Sequence, residues 1–180
     1  MISIRLLSVV GLVLLVSGTQ AQDFPKPGAE HDRLKQMVGV WDGLVKCSFE
    51  PGKSPQESKG VLTAKMDLGG FFLVTEFKGE LMGQAFHGRG MTGYDLFKKK
   101  YVGVWADSMS PAIYTSDAAF DKSGKVFTEI MEGPDPKGNP MKMRAVTTIK
   151  DQDHMHFQMF AQDKEGKESL MMETAYTRKK

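Results

Sequence analysis

From Gly39 onward the chain reads as ten short segments in which apolar and polar residues alternate, and three of the links between them have the form Asp-x-x-Gly. Alternation with a period of two places apolar side chains on one face of a strand and polar ones on the other, so each segment is a half-buried β-strand. The segments are 39–49, 59–67, 70–79, 85–95, 100–108, 112–121, 124–132, 141–150, 153–161 and 169–178. In 141–150, Met141, Met143, Ala145, Thr147 and Ile149 oppose Lys142, Arg144 and Lys150. In 153–161, Met155, Phe157, Met159 and Ala161 form the apolar face, which turns His154 and His156 to solvent. In 169–178, Leu170, Met172, Thr174 and Tyr176 share a face. The links Asp121–Gly124, Asp135–Gly138 and Asp163–Gly166 suit hairpins: Asp caps the turn through its side chain, and Gly takes the left-handed position. A calcium loop would need further oxygen ligands at alternate positions and a terminal Glu, and none of the three has them.

Sequential strands without βαβ crossovers predict an all-β, antiparallel up-and-down barrel of about ten strands, because closure removes the exposed edges. Gly88, Gly90 and Gly93 spell the spacing of a dinucleotide-binding loop. They lie inside a strand pattern with no helix after them, so they mark a bend or a close backbone approach instead. Upstream, Leu34, Met37 and Val38 at i, i+3 and i+4 predict one short amphipathic helix within 29–38, placed to plug a barrel end. Pro25 and Pro27 make the preceding residues an extended leader.

Arg5, the apolar run Leu6 to Val16 and the small residues Thr19 and Ala21 read as a secretory signal peptide cut after Ala21. The expected divisions are therefore 1–21 signal peptide, 22–38 leader and helix, and 39–180 barrel. The expected location is secreted or periplasmic, with no stable membrane insertion after cleavage. The formal charge is only +2 with the signs interspersed, which argues against nucleic acid as a partner. The single cysteine, Cys47, reads as a small semi-buried strand residue.

A longer pattern overlies the alternation. It comprises Pro27 to His31, Gly39-Val-Trp41-Asp-Gly43, Leu68 to Leu73, Phe86 to Gly90, Gly93-Tyr94-Asp95, Tyr101 to Trp105, Asp107 to Met109, and Glu173-x-x-Tyr176-Thr-Arg178. Together these resemble the calycin-like domain of unknown function numbered 1579. The resemblance implies a lipocalin-like antiparallel barrel and no particular activity. In calycins the Gly-x-Trp tryptophan packs at the closed end against a basic residue from a late strand, and Trp41 and Arg178 look like that structural pair.

The candidate binding residues are His87, Arg89, Tyr94, Trp105 and Asp107. His87 and Arg89 share one strand face, as do Trp105 and Asp107. An inward Arg and Asp beside aromatic rings would anchor the polar head of a ligand, or would form a buried pair that fixes barrel geometry. Many of the 13 Met residues fall in strands, where they suit either a plastic pocket or an ordinary core. His154 and His156 lack the further ligands of a recognisable zinc site, and their outward parity argues against a haem inside the barrel. No metal or cofactor is expected, and no catalytic motif is present. Three readings stand: a barrel binding a small hydrophobic or amphipathic molecule, an enzyme (hydrolase or isomerase) using His87 and Asp107, and a structural barrel with a filled core.

Overall fold

The computed structural model describes residues 24–48, 54–135, 137–163 and 165–180; the segment read as a signal peptide lies outside them. A short helix, α1 (Ala29–Leu34), runs into a single 3-10 turn (Lys35–Met37). Ten strands follow: β1 (Gly39–Cys47), β2 (Gln56–Asp67), β3 (Phe72–Leu81), β4 (Gln84–Asp95), β5 (Lys100–Asp107), β6 (Tyr114–Phe120), β7 (Val126–Pro134), β8 (Pro140–Ile149), β9 (His154–Gln162) and β10 (Glu168–Arg178). Each pairs antiparallel with the next, and β10 returns to β1 to close the barrel. Every strand lies within three residues of the position read from alternation.

The Asp-x-x-Gly links are hairpin turns. Gly124, Gly138 and Gly166 have φ of 70°, 84° and 81°, the left-handed region that only glycine enters without strain. The Asp121 Oδ1 accepts from the backbone N–H of Lys125 and of Val126, and Asp135 Oδ1 accepts from those of Lys137 and Asn139. Both carboxyls are held below the usual range, Asp121 chiefly by the Val126 backbone N–H and Asp135 chiefly by the Asn139 side-chain amide, which donates to its Oδ2 at 3.0 Å.

Register fixes which face is inside. Trp41 lies opposite both Leu62 and Arg178, and Leu62 lies opposite Phe77, so the inward face can be followed strand by strand around the barrel. The inward faces of β8 and β9 are those expected. In β10 one assignment changes. The register shifts between Leu170 and Met172, so Met171 is an extra residue and Leu170 pairs with Phe160 on the outer face. A β-bulge inverts parity on one side of itself, which simple alternation does not register.

The α1 end of the barrel is filled. Leu34, Met37 and His31 are buried against it, and Trp41 is fully buried beneath them. The Trp41 indole N–H donates to the Met37 carbonyl at 3.0 Å, and the Arg178 guanidinium lies 3.9 Å from the Trp41 ring centroid. Arg178 also donates to the carbonyls of Val38 and Gln152, at 2.7 and 2.6 Å. Gly39 has φ of 147°, and a Cβ there would come within 2.1 Å of the guanidinium. Above this pair, Tyr94, Tyr101, Phe120 and Phe127 stack edge to face, and the Tyr101 hydroxyl donates to the Glu30 carbonyl of α1 at 2.8 Å. Trp41 and Arg178 are thus in contact at the α1 end.

Candidate functional site

Beyond this plug the packing changes. Trp105, Tyr114, Met141, Phe157, Met159 and Ala161 all point inward, yet each is only half-buried. Met131, Met143 and Ala145 form a small second core cluster beside them. Two of the large rings rest against the barrel wall. A Cβ on Gly88 would sit 2.2 Å from the Trp105 indole, and one on Gly133 would sit 2.2 Å from the Tyr114 ring. Glycine on the neighbouring strand therefore gives each ring a flat floor. The Trp105 indole N–H donates to Asp107 Oδ2 at 2.9 Å, while Asp107 Oδ1 accepts from the Met109 N–H at 2.9 Å. Asp107 therefore fixes the indole orientation. Gly88→Ala is expected to push the indole off the wall and break its bond to Asp107. The predicted cost is about 1–3 kcal/mol for overpacking, with loss of the Trp105 near-UV circular dichroism signal. An unchanged near-UV spectrum would show that the ring does not rest on Gly88.

The structure divides the five candidate binding residues. Trp105 and Asp107 take inward positions in the half of the barrel away from α1. Tyr94 also points inward, but it belongs to the plug, edge-on to His31 and Tyr101. His87 and Arg89 are on the outer surface. Gly88, Gly90 and Thr92 take the inward positions of β4, because Trp105 needs the glycine floor, and this parity turns His87 and Arg89 outward. Both bind Glu76 there, His87 Nε2 at 2.8 Å and Arg89 Nη2 at 2.8 Å, with Arg89 70% exposed. Arg89 chiefly, then Lys78 and His87, pull the Glu76 carboxyl down to about 2. The inward Arg–Asp pair considered from sequence is therefore replaced by a Glu76–Arg89 pair on the outside. The barrel wall also separates His87 from Asp107, so the two do not meet in one catalytic site.

One lumen residue was overlooked in the sequence. Glu129 of β7 points inward between Ala118 and Ala145, its partners on β6 and β8. Its Oε1 accepts from the Ser116 hydroxyl at 3.2 Å, and among the described residues it has no other hydrogen-bond partner. Burial pushes its carboxyl above the usual range, and the Ser116 bond opposes this. Glu129 nevertheless keeps partial exposure, which is exposure to the lumen. The signal was available: Glu129 shares strand parity with Phe127 and Met131, and a carboxyl at a core position is what alternation marks as exceptional.

Other features frame the site. Cys47 is buried, and burial pushes its thiol up to about 11, so it stays protonated and inert. His154 and His156 lie on the outer face, near Asp151 and Glu173 respectively. At the end away from α1, Met82 of the β3–β4 turn and Met109 and Ile113 of the β5–β6 loop are exposed and give the rim apolar points.

Solved structures share this architecture. Rv2717c from M. tuberculosis superposes with a TM-score of 0.65 at 13% identity, over 85% of this chain and 99% of that one. The S-type phycobiliprotein lyase CPES from Guillardia theta gives 0.54 at 12% identity, over 86% and 99%. At such identities the likeness is one of fold. A search of the curated proteins finds no match. The family described as "Protein of unknown function (DUF1579)" matches residues 26–178, the whole barrel and its plug, and the chain belongs to that family.

Proposed function

We propose that the chain binds a small, partly apolar molecule inside the half of its barrel away from α1. The observation that carries this reading is Glu129: an inward carboxyl between Ala118 and Ala145, with one hydroxyl partner and residual exposure. A buried polar group without its full set of partners is costly in a purely structural core, and it is common where a ligand supplies the missing bonds. The contrast along the barrel supports the same reading. Leu34, Met37, His31 and Trp41 are buried at the α1 end, whereas the inward Trp105, Tyr114, Met141 and Phe157 towards the other end are half-buried. That a phycobiliprotein lyase shares the fold supports a barrel with a role beyond architecture. Residues 1–21 fit an export signal, so we place this function in a secreted or periplasmic compartment.

Titration with the neutral dye N-phenyl-1-naphthylamine tests the reading. Saturable fluorescence enhancement at one dye per chain is expected, with energy transfer from tryptophan that falls in Trp105→Phe. Enhancement that never saturates would overturn the proposal and favour a barrel with a filled core.

A further inference from the structure

We infer that the ligand of this lumen is a cationic amphiphile, a molecule with a protonated amine that meets Glu129 and an apolar body that lies against Trp105, Tyr114 and Phe157. The inference rests on the lumen-binding reading above and adds the charge of the ligand. Among the described residues, the inward strand positions carry two acidic side chains, Asp107 and Glu129, and a single basic one, Arg178. Arg178 is committed at the plug, over the Trp41 ring and on two carbonyls. Every strand Lys, and Arg89 and Arg144, are outside: Arg89 binds Glu76, and Arg144 binds Glu168 over the Phe160 ring. Among the described residues, the inner face of the half away from α1 thus carries two carboxyl groups with no base facing them, an arrangement that repels anions and favours cations.

The neutral surface of the lumen matches the same ligand. Tryptophan and tyrosine faces attract ammonium groups, and methionine sulfur is polarisable and adapts to varied apolar shapes. Glu129 has room for N–H donors, since Ser116 occupies one of its oxygens. An alcohol would supply one donor without charge, and a carboxylate none. Asp107 stands near the mouth and Glu129 deeper, so a cation entering past the apolar rim meets negative charge at both depths.

The test is displacement of the neutral dye by three ten-carbon competitors at pH 7.5: decylamine, decanol and decanoate. Decylamine is expected to displace about tenfold more tightly than decanol, with decanoate weakest. In Glu129→Gln the amine-to-alcohol ratio is expected to fall to about threefold or less; using the ratio cancels any change in dye affinity. Decanoate competing as well as decylamine would overturn the inference, as would a Glu129→Gln variant that keeps the full ratio. If the dye itself fails to bind, the lumen reading falls. If the dye binds and the three head groups compete equally, only the assignment of charge falls.

Discussion

Trp41→Ala is expected to remove about 3–5 kcal/mol of stability, the range for a large aromatic residue deleted from a packed core. Trp41 is fully buried, its N–H satisfies the Met37 carbonyl, and its ring supports the Arg178 guanidinium at 3.9 Å. The substitution therefore opens a cavity, leaves a carbonyl unpaired and strands a cation at the same time. Since natural domains hold about 5–15 kcal/mol in total, a large share of the fold's margin rests on this residue. Urea unfolding should show a lower midpoint with an unchanged slope, and thermal unfolding should drop by about 2–4 °C for each kcal/mol lost. Arg178→Lys should recover little of an Arg178→Ala loss, because an ammonium lacks the planar face and the forked donors that reach the Val38 and Gln152 carbonyls. A Trp41→Ala protein within about 1 kcal/mol of the parent would show that the plug does not anchor the barrel.

Glu129→Leu should have the opposite sign. At pH 7.5 it is expected to stabilise the protein by about 1–3 kcal/mol, by removing a buried carboxyl that has one partner. The pH dependence follows from the direction of the shift. The folded-state value lies above the ordinary 4.5, so the folded chain prefers the protonated acid. That preference contributes fully below about pH 4.5 and is lost as pH rises through the folded-state value. The advantage of the leucine variant should therefore be smallest near pH 4 and grow towards neutrality. Urea unfolding of both proteins at the two pH values measures it. A variant less stable than the parent at pH 7.5 would mean that Glu129 is a satisfied structural group. A carboxyl that weakens the empty barrel is what a binding residue looks like before its ligand arrives.

The strands, the turns and the Trp41–Arg178 pair were legible because each leaves a local mark: a period of two, Asp-x-x-Gly, and a Gly-x-Trp with a late arginine. Which face of β4 points inward was not. Both parities of that strand mix polar residues with glycine, and the choice is made by the Trp105 ring on β5 seeking a floor at Gly88. Leu170 was misplaced for a related reason, since a bulge is set by pairing with β9 and not by composition. Glu129 was overlooked although its parity was written in the strand. An acid among apolar strand residues carries meaning only once the face is known to be interior.

Barrel closure also shapes how the chain folds. β1 finds its second neighbour only in β10, with Trp41 opposite Arg178 at the far end of the sequence. Until β10 is available, one edge of β1 stays open, and no local structure can complete the plug pair. Pairing this distant makes loop closure the slow step, and it places the domain among the topologies that fold in milliseconds to seconds. The unclosed sheet would meanwhile present sticky edges to other chains, so the eleven residues of β10 decide whether the nascent protein closes on itself or pairs with a neighbour.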